Sequence, residues 1–277
     1  MIERFWGPES ARRLVTAAAQ DDWGAIARSL RPLRSELLRR SGSRRPVAVA
    51  AYWFADVVRL AGRWLRPNGL HVVLLGADGS GKSSVIRRLA EDVDGPFSSA
   101  SVRHLAPMSL PHGRASRATT DPHGLAARRL VPSLAKALYW LFDYSVGYHL
   151  RVRPARVRST LVLYDRYLVD ALVDPRRYRY GGPAWLTRLV WRLVPKPDLV
   201  VVLDAPPAVL RARKQEVTPA ETARQRAAYR ELGRRVRGGR IVDAAQPLDA
   251  VVADVRTAIV EFLADRAARR LRLPVRR

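Results

Sequence analysis

Leu70-His71-Val72-Val73-Leu74-Leu75-Gly76-Ala77-Asp78-Gly79-Ser80-Gly81-Lys82-Ser83-Ser84 decides the fold. The first six residues are a short apolar run of the kind that forms a parallel strand buried on both faces. Gly76 to Ser83 then follows the phosphate-loop spacing, two glycines separated by four residues and followed by Lys-Ser. Glycine is needed there because successive backbone N–H groups must turn inward and approach an anion closely. Lysine neutralises charge near the terminal phosphates, and a hydroxyl can hold Mg²⁺. Ser83 to Glu91 reads as a helix, so its N-terminus faces the bound anion. ATP is the expected ligand, with Lys82 on the β- and γ-phosphates and Ser83 on Mg²⁺. Transfer of the terminal phosphoryl group is the expected reaction.

Reading downstream, Leu161 to Tyr164 and Leu199 to Leu203 are further buried-strand candidates, each closed by an aspartate, Asp165 and Asp204. Ile241-Val242-Asp243 is a weaker last strand before a helical stretch from Leu248 to Phe262. Strands alternating with helices imply a parallel sheet covered on both faces. A carboxylate near the metal is expected at the end of a neighbouring strand. Asp165 is the better candidate because Arg166, beside it, offers a partner for a phosphate. A strand-end aspartate can also be only a turn residue or a helix cap.

Reading upstream, Pro67-Asn68-Gly69 is turn chemistry. It divides a helical extension, residues 1–67, from the phosphate-loop domain, residues 68–277. Within the extension Ser41 to Pro46 reads as a hinge between two helices. In the second, Asp56, Arg59 and Arg63 form one narrow polar stripe, and Tyr52, Trp53, Phe54, Val57, Leu60, Trp64 and Leu65 spread over the rest. So broad an apolar surface is expected to pack on a neighbouring domain. The alternative is peripheral membrane contact through residues 47–65, with tryptophan and arginine at headgroup depth. Between Ala106 and Ser133 the pattern fails in a stretch rich in Pro, Gly, Ser, Thr and His. Arg266 to Arg277 reads as a basic helix end or tail.

Composition narrows the chemistry without choosing the partner. The 277 residues contain no cysteine, which excludes disulfides, thiolate metal sites and a cysteine nucleophile. The five histidines show no ligand-like spacing. The formal net charge is +25, nearly all of it arginine dispersed along the chain. Such a surface attracts polyanions, anionic lipid or phosphorylated substrates. No nucleic-acid-binding motif accompanies it, so a nucleic-acid partner is not expected. The N-terminus lacks the layout of a secretory signal, and the longest apolar stretch carries charges. A cytoplasmic enzyme is expected, either free or peripheral at the inner membrane face.

Taken together, these motifs resemble the thymidylate-kinase branch of the phosphate-loop kinases. The loop, with a carboxylate at Asp78 and a second hydroxyl at Ser84, is similar to that family's version. Arg153-Pro154-Ala155 and then Leu163-Tyr164-Asp165-Arg166-Tyr167 resemble the stretch leading into its Asp-Arg-Tyr motif. Pro197 to Pro207 resembles the strand before its mobile lid, and Val242-Asp243-Ala244 its closing segment. The resemblance implies a three-layer α/β fold and use of ATP and Mg²⁺. It implies a nucleotide site of Gly76, Asp78, Gly79, Ser80, Gly81, Lys82, Ser83 and Ser84, with Arg213 against the adenine and Asp243 nearby. It implies Asp165 near Mg²⁺ and Arg166 near the acceptor phosphate. Lys214, Arg224 and Arg226 become candidate lid cations beside Arg213.

The acceptor half differs from the family pattern. Where thymidylate kinases carry Arg-Glu-Pro-Gly-Gly-Thr, this chain has Arg103-His104-Leu105-Ala106-Pro107, and Asp170 replaces a serine after the Asp-Arg-Tyr motif. The candidate acceptor set is Asp78, Arg103, Arg166, Tyr167, Asp170, Asp174, Arg176 and Arg177. The expected acceptor is a nucleoside monophosphate, dTMP-like, or another small metabolite, and a homodimer is the candidate assembly. Two other readings stay open: a sugar or glycan-precursor kinase linked to envelope polysaccharide synthesis, and an ATP-gated nucleic-acid-binding protein.

Overall fold

A computed structural model describes residues 8–42, 46–93, 95–107, 126–214 and 217–271. The chain forms two compact units, residues 1–65 and 66–277.

The first unit holds three helices, α1 (Pro8–Ala19), α2 (Trp23–Gly42) and α3 (Pro46–Leu65). Helix α2 contains Pro32. Arg34 ties α2 to α3, donating to Asp56 at 2.8 Å and stacking its guanidinium over Tyr52, 5.2 Å from the ring centroid.

The second unit is built on a five-stranded, wholly parallel sheet in the order β2-β3-β1-β4-β5. The strands are β1 (Leu70–Leu75), β2 (Ser99–His104), β3 (Thr160–Asp165), β4 (Leu199–Asp204) and β5 (Gly239–Asp243). Strands β1 and β4 are buried at every position, as their unbroken apolar runs predict. β2 is an edge strand of mixed exposure, Ser-Ala-Ser-Val-Arg-His, with no apolar run to announce it.

Alternation along the strands sends side chains to two separate cores. On one face Val73, Leu75, Val162, Tyr164, Val200 and Val202 pack under α5 (Leu130–Gly147), α7 (Asp170–Val173), α8 (Ala184–Leu193) and α10 (Pro219–Arg235). On the other, Leu70, Val72, Leu74, Leu163 and Leu203 meet α4 (Lys82–Glu91) and α11 (Leu248–Leu271). That is the three-layer α/β arrangement. The short α6 (Arg153–Val157) leads into β3, and α9 (Pro207–Arg213) follows β4. Helix α10 opens on Thr218, whose hydroxyl accepts from Glu221 N at 3.3 Å, with Pro219 at the first helical position.

Two stretches without a strand or helix assignment from the sequence can be followed in part. Most of the patternless stretch, residues 108–125, lies outside the described residues; at its end α5 starts at Leu130 and Ser133 accepts from Gly181 N at 3.0 Å. The basic C-terminal stretch continues α11 as far as Leu271. There Arg266 donates to the carbonyls of Asn68 and Gly69, and Arg270 to that of Pro67, so these two cations clamp the turn before β1.

Because β1 is central, with β3 and β4 on either side, the phosphate loop leaves the sheet where connections diverge to opposite faces. Ligands of open α/β sheets bind at that switch point, beyond the carboxyl ends of the strands. Asp165 and Asp204 stand at the ends of the two flanking strands.

Candidate active site

The loop after β1 needs its glycines for backbone shape. Gly76, Gly79 and Gly81 have φ of 147°, 82° and 85°. A Cβ on Gly76 would sit 2.6 Å from Leu203 O, and one on Gly79 2.4 Å from Leu210 O. Gly81 caps α4, so Lys82, Ser83 and Ser84 occupy its first turn, where helical N–H groups have no internal partner.

Lys82 folds back over this loop. Its Nζ donates to Gly76 O at 2.8 Å, Ala77 O at 3.0 Å and Ser80 Oγ at 3.3 Å, and the side chain is buried. Burial first, and then the nearby Arg166 charge, lower its pKa to about 8. An ammonium held by neutral carbonyls is poised for a stronger anionic partner.

Ser83 Oγ donates to Asp165 Oδ2 at 3.0 Å, joining the loop to the end of β3. The other carboxylate oxygen, Asp165 Oδ1, is buried with no hydrogen-bond partner. Both groups open into a cleft of about 500 Å³ between α4 and β2, which Arg87, Arg103 and His104 also line. Among the described residues no cluster of three His, Cys, Asp or Glu side chains could hold a metal by itself. A hydroxyl, a carboxylate and one unused oxygen fit Mg²⁺, which keeps water and takes substrate phosphate oxygens alongside one or two carboxylates.

On the other side of the loop, Asp78 receives two guanidiniums. Arg166 Nη2 lies 2.5 Å from Asp78 Oδ1, and Arg177 pairs with Oδ2. Arg166 has φ of 72°, a left-handed conformation unusual for a residue with a Cβ, and such strain concentrates at functional sites. Burial works against its charge, yet the surrounding Asp170 and Asp78 carboxylates hold its pKa raised.

The remaining expected residues divide into supports and edges. Asp170 is fully buried, with its oxygens accepting from Tyr167 N at 2.8 Å and Tyr229 Oη at 2.5 Å. Asp174 is likewise buried and accepts from Gln225 Nε2 at 3.1 Å, with Arg177 Nε at 3.6 Å. Both carboxylates are held inside the domain, the Asp170 charge acting on Arg166 and Asp174 standing beside Arg177. Tyr167, expected at the acceptor, is instead wholly buried, edge-on to Tyr144 at 4.7 Å, with its hydroxyl on Pro195 O. Its ring packs in the core. Arg176 is exposed on the turn after Asp174.

At the far side Arg213 donates to Ala244 O at 2.8 Å, while Asp243 Oδ1 accepts from Ala245 N at 2.9 Å. These two hold the loop after β5 against the end of α9, which Lys214 terminates. The lid candidates are already paired: Arg224 with Glu221, and Arg226 with Asp204 at 2.7 Å. Asp204 also takes Arg230 at 2.6 Å. Burial alone would raise its pKa, but the two guanidinium hydrogen bonds lower it on balance. Arg230, Tyr229 and Gln225 were not singled out from the sequence. Their only signal there is spacing on α10, Arg226 and Arg230 on one face and Gln225 and Tyr229 on another.

No family model matches the chain. Individual relatives do. A thymidylate kinase of Xanthomonas euvesicatoria pv. vesicatoria is 30% identical over 214 residues, covering 73% of this chain and 88% of the relative. The chain belongs to the thymidylate-kinase family. A thymidylate kinase of Xanthomonas oryzae pv. oryzae is 28% identical with the same coverage. A probable thymidylate kinase of Pyrobaculum aerophilum is 28% identical over 66% of this chain and 93% of its own length. This member of the thymidylate-kinase family is thus a phosphate-loop phosphotransferase. Its α/β domain carries the loop, Asp165 and Arg166 at the carboxyl edge of the sheet.

Proposed function

We propose that this protein transfers the γ-phosphoryl group of ATP to the phosphate of a nucleoside monophosphate. The observation that carries the reading is the convergence of Arg166 and Arg177 on Asp78, on the loop that also holds Lys82. Guanidinium pairs suit phosphate oxygens geometrically and in charge. An acceptor phosphate can take over the two cations that the Asp78 carboxylate holds in this structure.

Phosphoryl transfer asks a protein for alignment and charge stabilisation more than for covalent chemistry. The loop N–H groups and the α4 N-terminus bind the donor phosphates. Lys82 leaves its carbonyl partners for the β- and γ-oxygens, and Arg213 borders the nucleotide with Asp243 shaping the loop beside it. Ser83 and Asp165 would hold a divalent cation, which supplies charge neutralisation at the phosphoryl oxygens when bound. Arg166 and Arg177 fix the acceptor phosphate, so that its oxygen faces the donor. Asp170 and Asp174 act one step removed, keeping those guanidiniums aimed.

The named relatives make dTMP the first acceptor to try. Incubation with ATP, Mg²⁺ and each common nucleoside monophosphate, followed by chromatographic separation of products, tests the reading. A nucleoside diphosphate formed in step with ADP supports it. ADP formation without any diphosphate of the acceptor would overturn it.

A further inference from the structure

We propose that helix α3 docks the protein on an anionic lipid surface, lying in the headgroup layer along its length. This inference is independent of the acceptor. At 100° per residue, Leu60, Trp53, Trp64, Val57, Phe54, Leu65, Val47 and Val58 fall within one arc of about 160°. Their exposures are high: Val47 is 80% exposed, Leu65 77%, Phe54 71%, Val57 61%, and Val58 and Leu60 53% each. Such a contiguous apolar face exceeds what scattered surface residues produce and marks a docking surface.

The opposite face explains which way the helix turns. Tyr52 and Asp56 lie there and are taken up by Arg34 of α2, which also reaches the Trp53 ring at the border of the arc, 5.7 Å from its centroid, while Phe54 and the aliphatic residues of the arc stay exposed. Arg59 and Arg63 sit on that polar face, and Arg63 makes no ion pair among the described residues. Arg63 thus lies about 60° round the helix from the Leu60 border of the arc, the border near which both tryptophans lie. That is the layout of an interfacial helix, with indole and guanidinium groups at headgroup depth.

Charge chooses the occupant. Residues 1–65 carry twelve arginines against six carboxylates, and the whole chain stands at +25. A second copy of so cationic a surface would be repelled, whereas anionic headgroups would be attracted. No described helix is long and apolar enough to cross a membrane, so the arrangement lies on the surface of a bilayer.

The test uses the full chain with vesicles of phosphatidylcholine alone and of phosphatidylcholine mixed with phosphatidylglycerol. Cosedimentation is measured at low and high salt, together with tryptophan emission. The expected result is binding to the anionic vesicles with a blue shift, part of which survives high salt because apolar side chains are inserted. Phe54→Ser and Val57→Ser should each weaken partitioning about tenfold or more, from the apolar area no longer buried. Circular dichroism at the wild-type helix content reports that the variants keep α3 folded. Three results would overturn the proposal: no binding of the wild-type chain, binding abolished by salt with no emission shift, or binding unaffected by both substitutions. A wild-type dimer that the same substitutions dissociate, without vesicle binding, would assign the face to a second copy instead.

Discussion

Arg166 and Asp78 meet at 2.5 Å across 88 residues of sequence, closing the end of β3 onto the phosphate loop. In the proposed reaction this pair supplies the cation that takes the acceptor phosphate. Arg166→Ala removes one charge-assisted contact, worth about 1.5–3 kcal/mol, and should raise the acceptor KM about tenfold to a hundredfold. ATP affinity, measured by calorimetry, should stay nearly unchanged. An equal loss of both affinities would mean that the residue shapes the loop instead.

Asp165 makes a different prediction, because its partner is Ser83 and its second oxygen has none. Asp165→Asn keeps the shape and removes the charge. The variant should need more Mg²⁺ for half-maximal rate and lose kcat by about a hundredfold, while binding Mg²⁺-free ATP normally. An unchanged Mg²⁺ dependence would reduce Asp165 to a strand-end turn residue.

Lys82 can be followed by its chemistry. With a pKa lowered by burial to about 8, a larger fraction is deprotonated at pH 8 than for an ordinary lysine. It should react with amine reagents at that pH, and ATP should protect it. Lys136, also lowered to about 8 by burial, is the internal control, since it bonds to Tyr178 O away from the loop. Phosphate binding requires the charged form, so ATP affinity should fall as pH rises through 8. Lys82→Arg should abolish that fall. Equal protection of both lysines by ATP would contradict the assignment.

The sequence showed some of this and hid the rest for physical reasons. The runs that became β1, β3 and β4 are buried on both faces, so apolar continuity reveals them, and the aspartates closing β3 and β4 mark the carboxyl edge. β2 sits at the sheet edge with one face in solvent, and nothing in Ser99–His104 distinguishes it. The loop is readable because every residue in it answers a local need. Partner choice is not local. That Arg226 and Arg230 belong to Asp204, or Arg177 to Asp78, depends on how α10 and the turn after α7 pack on the sheet. Tyr167 illustrates the same limit: adjacency to Arg166 suggested the acceptor, but the left-handed turn at Arg166 sends the next ring into the core.

His71 gives a prediction about stability. It is fully buried between Tyr148, Tyr164 and Tyr167, neither ring nitrogen has a partner, and burial lowers its pKa to about 3, with Arg156 adding to the effect. The unfolded chain takes up a proton near pH 6.5 that the folded protein refuses. Stability is therefore intact above that pH and falls by about 1.4 kcal/mol per unit as pH drops toward 3. Urea unfolding at pH 7 and pH 5 should show the difference, and His71→Leu should flatten it. A wild-type midpoint unchanged between the two would mean that His71 finds a hydrogen-bond partner when protonated.

The most direct measurement compares a nucleoside monophosphate with its own nucleoside as acceptor, at saturating ATP and Mg²⁺. If Arg166 and Arg177 receive an acceptor phosphate, the monophosphate supports ADP release and is converted to the diphosphate, while the nucleoside leaves the rate at background. Removing the phosphate then costs kcat/KM at least about a hundredfold, two charge-assisted contacts being lost together. Equal turnover of the nucleoside, or an ADP release that no monophosphate accelerates, would contradict the account.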